Sequence, residues 1–243
     1  MDEPRSGSAR ISLLVMTLLA LGVGGGVWAQ EGPVDTPDAG VANADATPDV
    51  EVAPPAPLPC AKTPEEAEAS LMLVFDDLRG LQTSRLPGPA GMALRTRQAE
   101  QIVSGHIDVG HFTQLVLRSL WDQLDEPRQE AWTAVLTSLL RHRYVERIRD
   151  PRKHVLRILS SEVDCHTVKT QVSLHHTRRT STYILELRLR LPPKGWKVYD
   201  VVLEGASLVN SWRSRLVRIY RDEGLTGLDD QLDTLTRRYS SER

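Results

Sequence analysis

Tyr183–Leu216 reads YILELRLRLPPKGWKVYDVVLEGASLVNSWRSRL. Tyr183, Leu185, Leu187, Leu189 and Leu191 alternate with Glu186, Arg188 and Arg190, the period of two expected of a strand with one buried face. Pro192-Pro193-Lys194-Gly195 predicts a turn. Trp196 to Leu203 is the next strand. Its inward face is ambiguous, because Trp196, Val198 and Val202 alternate with the equally bulky Tyr199, Val201 and Leu203. Near residue 207 the period changes to that of a helix, with Leu208, Val209, Trp212, Leu216 and Ile219 up to a stop at Gly224.

The same reading extends outward. Upstream, Val168, Thr170, Val172 and Leu174 alternate with Lys169, Gln171, Ser173 and His175, and a shorter strand is expected at 155–161. Short connections predict antiparallel pairing. Before Pro151 the pattern is helical. Thr63-Pro64-Glu65-Glu66 predicts a capping box with Pro at the first helical position, ahead of Ala67, Leu71, Val74, Phe75 and Leu78. Further helices are expected at about 92–104, 108–124, and from Asp125-Glu126-Pro127 through Trp132, Val135, Leu136, Leu139, Leu140, Tyr144 and Ile148. A last helix, carrying Leu228, Leu232 and Leu235, covers 227–239. About six helices segregated from an antiparallel sheet of about four strands make an α+β fold, with helices packed on one face of the sheet.

The chain has 243 residues, 30 Lys and Arg against 32 Asp and Glu, and two cysteines. Residues 1–29 carry two bases and two acids, and residues 30–59 six acids and no base, so residues 60–243 carry a net +4. That is far from a nucleic-acid-binding balance, and no nucleic-acid partner is expected. Arg5 and Arg10 precede the apolar run Ile11–Val23, and Val27-Trp28-Ala29 suits a cleavage site, so residues 1–29 predict a cleaved export signal and a periplasmic location. The alternative is an uncleaved anchor, which Gly22, Gly24, Gly25 and Gly26 disfavour. Residues 30–60 predict a disordered linker rich in Pro, Ala and Asp, because they lack the large apolar side chains needed to offset ordering entropy. The folded domain is expected over 61–243.

Candidate chemistry is sparse. Cys60 and Cys165 either pair across a long loop or remain two thiols. Asp164-Cys165-His166 and His175-His176 suggest a metal, but a strand of nine residues would hold His166 and His175 roughly 30 Å apart, so no metal is expected. No G-x-S-x-G or H-E-x-x-H occurs. Asp200 is an acid/base candidate, although a hydrogen-bonded carboxylate at a strand end is the commoner meaning; no enzyme is expected. Arg141, Arg143, Arg147, Arg149, Arg152, Lys153 and Arg157 form the densest basic run, either a solvated face or a surface for an acidic partner or anionic headgroups.

The segment from Gly195 to Leu216, followed by Gly224-Leu225-Thr226-Gly227-Leu228-Asp229-Asp230-Gln231-Leu232, resembles the signature of the MlaC or toluene-tolerance family. Leu120-Trp121, Arg128, Trp132, Leu139-Leu140 and Tyr144 fall where that family has its helix pair. The resemblance spans about 63–236. It departs at Trp212 and Leu216, where the family has Tyr and Phe, at Leu187, a usual aromatic, and at Arg118, a usual glycine.

The resemblance implies a cone-like curved sheet wrapped by helices around a deep apolar cavity. It implies no cofactor and one phospholipid as cargo, carried between an MlaA-like outer-membrane lipoprotein complex and an MlaFEDB-like inner-membrane ABC transporter to maintain outer-membrane asymmetry. Combined with the strand and helix periods, it assigns Val168, Val172, Leu185, Leu187, Leu189, Val201 and Leu203 to the cavity wall. Trp121, Val135, Leu139, Tyr144, Val209, Trp212 and Leu216 are assigned to its lids. The other readings are a small enzyme using Asp200, and a non-lipid interaction module on a flexible tether.

Overall fold

The computed structural model describes residues 60, 63–81, 88–146, 151–178 and 182–240. The expected export signal and, apart from Cys60, the expected linker lie outside these residues. The order is four helices, a sheet, then a long broken helix.

Helix α1 (Glu65–Gly80) buries Ala67, Leu71 and Phe75, one residue per turn on one side. The expected capping box does not form. Pro64 takes the N-cap position, and the Thr63 hydroxyl bonds the Glu65 carboxylate, a stronger acceptor than a neutral group, which holds that carboxyl below its usual range. Helix α2 spans Gly88–His106 and α3 spans Val109–Leu117. Asp108 caps α3 by accepting from the His111 N–H at 3.0 Å. The helix expected over 108–124 breaks at Arg118, where φ is +48° and ψ −118°, and continues as a 3₁₀ turn, Arg118–Gln123. Asp125 caps α4 (Glu126–Leu139) through the Arg128 N–H at 3.0 Å. A wider π turn follows, Leu140–Val145.

Strands β1 (His154–Asp164), β2 (Thr167–His176), β3 (Thr182–Arg190), β4 (Lys197–Leu203) and β5 (Ala206–Ser207) form one antiparallel sheet in sequence order. The first strand is longer than expected, and β5 adds a fifth. β5 exists because Glu204 (φ +50°) and Gly205 (φ +80°) make a two-residue turn with both central residues left-handed, a geometry that suits the twist of a hairpin. Helix α5 (Leu208–Ser240) is interrupted at Gly224, φ +67°, so the two expected C-terminal helices are present as two arms.

The core has three parts. A helical cluster joins α3, α4 and α5 around Phe112, Trp132, Leu136 and Leu216. A sheet cluster packs Val168, Val172, Leu187 and Leu189 under Ala67 and Leu71 of α1. A smaller one joins Leu81, Ile102, Val103 and Val145. Cys60 and Cys165 are disulfide-bonded, which ties the chain ahead of α1 to the β1–β2 turn. Among the described residues, no helix is long and apolar enough to cross a membrane.

Candidate functional site

The predicted wall residues share one face of the sheet, and a bulge adds Val198 to it. Residues directly opposite in an antiparallel ladder point the same way. Leu185 faces Leu203, Leu187 faces Val201, and Leu189 faces Val198. The register shifts between Arg188, which pairs with Asp200, and Leu189, leaving Tyr199 unpaired. That one extra residue places both Val198 and Val201 on the face of Leu187. The ambiguous alternation of β4 is thus resolved: neither set is wholly inward.

Val168, Val172, Leu187 and Leu189 are buried in the sheet cluster, with Leu185 and Val201 half-buried against it. Leu203 is also buried. Among the lids, Val135, Leu139, Val209, Trp212 and Leu216 are buried in the helical cluster, and Trp121 and Tyr144 pack half-buried against it. Each predicted group is therefore brought together, but the two groups belong to separate clusters. The wall packs instead on Ala67 and Leu71, with Trp196 and Val198. Sequence reasoning read the one-sided pattern of Ala67 and Leu71 and did not assign it to the sheet. The chain passes from the sheet to the helical cluster at the end of β4, where Leu203 leads through the hairpin into Leu208 and Val209. There the apolar face is incompletely covered, since Leu156, Ile158, Leu185 and Val201 remain half-buried.

Polar groups interrupt this face at one point. The Ser161 hydroxyl donates to Glu68 of α1 at 2.7 Å and lies 3.1 Å from the buried Thr170 hydroxyl. Ser70 donates to the Trp196 carbonyl at 3.0 Å. These bonds fix α1 over the sheet and spare buried polar atoms an unpaired state.

Asp200 lies on the opposite face, 3% exposed. Its carboxylate accepts from the Ser207 hydroxyl at 2.6 Å, the Val209 N–H at 3.1 Å, the Val201 N–H at 2.9 Å and Arg188 at 3.3 Å. Ser207 in turn accepts from the Asn210 N–H at 3.1 Å. The pair closes the N-terminus of α5, where a negative charge is favoured. This is the structural role the sequence weighed against acid/base work. Nearby, burial, then Arg190, pulls His111 below its ordinary value, partly opposed by Asp108. Burial raises the Tyr199 phenol that meets it edge-on.

On the helical side the Trp212 indole N–H points to the Tyr144 hydroxyl at 3.4 Å. Burial raises the Tyr144 phenol, against a smaller opposing effect of that contact. A groove of about 430 Å³ meets the predicted groups only at Trp121, and is otherwise lined by Glu126, Glu130 and Thr133 among others. His166 lies beside the disulfide, but metals bind cysteine as thiolate, which the bonded sulfurs are not. His175 contacts Thr182 at 3.0 Å, and His176 accepts from the Arg178 N–H at 3.1 Å.

The sheet-and-helix arrangement is that of known proteins. The chain aligns with the phospholipid-binding protein from Ralstonia solanacearum, solved in complex with a phospholipid, with a TM-score of 0.58 and 18% identity, covering 74% of this chain and 99% of that one. Among curated proteins, no sequence matches. The family model described as "MlaC protein" matches residues 78–234, from the end of α1 to the second arm of α5. That span holds the whole sheet, the bulged β4, the Asp200 cap and both apolar groups, and the chain belongs to the MlaC family.

Proposed function

We propose that this chain is a periplasmic phospholipid carrier, not an enzyme, and that it moves lipid between an outer-membrane lipoprotein complex of the MlaA type and an inner-membrane ABC transporter of the MlaFEDB type. Its cargo is the lipid, and it needs no cofactor. The observation that carries this reading is the apolar sheet face, bulged so that Val198, Val201 and Leu203 all point to it, and left half-covered beside the helical cluster. Family membership and a fold shared with a protein solved around a phospholipid support it.

The physical requirement is large. Two acyl chains hold about thirty methylenes, each costing ~0.8 kcal/mol in water, so unaided transit faces a barrier on the order of 20 kcal/mol. A carrier replaces the bilayer with non-directional burial, which also lets the lipid leave. The acyl chains lie against the half-buried part of the sheet face, at Leu185, Val201 and Leu203, with Val209 and Trp212 on the helix that follows.

The test is transfer of a fluorescent phospholipid from donor to acceptor vesicles. Transfer should rise in proportion to added protein and fall when Leu185 or Val201 is replaced by Asp. A rate unaffected by the protein contradicts the proposal.

A further inference from the structure

Within the basic run read from the sequence, Arg147 and Arg149 lie outside the described residues, and the two arginines ahead of them are placed differently. Arg141 is engaged by Glu100 and Glu146. Arg143 instead belongs to a group that the sequence does not place together. Two contacts gather it. The Trp212–Tyr144 bond brings the π turn against the first arm of α5, and His142 stacks on Tyr239, with ring centroids 6.1 Å apart, bringing the same turn against the second arm. Arg143 and Arg215 therefore lie together, with Arg218 one turn beyond Arg215 and Arg238 adjoining Tyr239.

Arg215 is half-buried. Its guanidinium lies over the Trp212 ring, 5.4 Å from the centroid, and reaches Gln231 Oε1 at 3.5 Å. No carboxylate among the described residues pairs with Arg143 or Arg215. Burial, then Arg143 and Arg238, and more weakly Arg218, pull Arg215 below its ordinary value, with only Tyr239 opposing. Like charges so gathered repel one another, and Arg forks match the geometry of phosphate oxygens. The cation–π contact with Trp212 holds one fork in place before any anion arrives.

We infer that Arg143 and Arg215, flanked by Arg218 and Arg238, form a binding site for a phosphate-ester oxyanion, the phosphodiester of a lipid headgroup seated above Tyr144 and Trp212. This rests on the carrier reading for the source of the phosphate, but not for the site itself. It adds a polar anchor to otherwise non-directional binding.

Two arms test it on the mature full-length chain. In the first, inorganic phosphate is titrated against the side-chain NMR signals of Arg215 and Arg143, with chloride at matched ionic strength as the control. Both arginines should shift with phosphate and not with chloride. In the second, uptake of phosphatidylglycerol is compared with that of uncharged diacylglycerol in wild type, Arg215→Gln, Arg143→Gln and Arg215→Lys. The preference for phospholipid over diacylglycerol should fall roughly tenfold or more in each Gln variant and be largely retained by Lys.

Unmoved arginine signals together with an unchanged preference in both Gln variants overturn the site. Arginine shifts with an unchanged lipid preference overturn the headgroup assignment and leave free phosphate as the ligand. Failure to take up either lipid counts against the carrier reading, while the phosphate titration still decides the site.

Discussion

Arg118 holds a backbone conformation that a side chain resists. With φ +48° and ψ −118°, it ends α3 by donating its N–H to the Gln114 carbonyl. A non-glycine residue in such a region costs about 1–3 kcal/mol, because its Cβ crowds the adjacent peptide. Glycine removes that crowding but gives back about 0.5–1 kcal/mol through greater freedom in the unfolded chain. Arg118→Gly should therefore stabilise the fold by about 1 kcal/mol, or about 2–4 °C in Tm for a chain of this size. Loss of the charge acts in the same direction, since Arg118 lies close enough to Arg213 to disfavour its charge, although burial does more. Arg118→Ala removes the charge and keeps the Cβ, so it isolates the backbone effect. Urea unfolding, read as a midpoint shift at constant slope, compares the two. If Arg118→Gly is no more stable than Arg118→Ala, the strain reasoning fails.

Asp200→Ala leaves Ser207 and the first turn of α5 without their acceptor, and should lower stability by about 3 kcal/mol or more in urea unfolding. Asp200→Asn, which keeps the shape, should cost less; equal losses would contradict the cap. Reducing the Cys60–Cys165 bond releases a loop with a sequence separation of 105 residues and should cost up to about 4–5 kcal/mol; unfolding curves unchanged by reductant would argue against the pairing. His111 is held below its ordinary value, so the unfolded chain binds a proton more readily than the fold does. Its contribution is therefore complete above about pH 6.5 and is lost as pH falls below that, towards and past the folded value. His111→Phe should flatten the acid side of the stability profile relative to wild type; identical slopes would refute this.

Most element types were legible because their periods are clean. The Tyr183–Leu191 alternation became β3, and the capped pattern from Asp125 became α4. What escaped were single-residue events. Nothing in Val198-Tyr199-Asp200-Val201 marks Tyr199 as the residue that drops out of register, since a bulge is set by cross-strand pairing rather than by local propensity. Arg118 hid a left-handed turn inside the helix expected over 108–124, because an arginine there carries no local signal for positive φ. The candidate site was legible as two apolar groups but not in how they pack, because periodicity shows which side of an element is buried and not what covers it. Thus Ala67 and Leu71 cover the wall where Val209 and Trp212 were expected. The arginines of α5 joined Arg143 through tertiary contacts that no local spacing reveals.

Native mass spectrometry of the mature chain, purified without detergent, weighs the protein together with whatever it carries. The carrier reading predicts a species heavier than the polypeptide by one phospholipid, lost on organic extraction and recovered in the extract. A chain that is empty in every preparation, and stays empty after incubation with phospholipid vesicles, contradicts it.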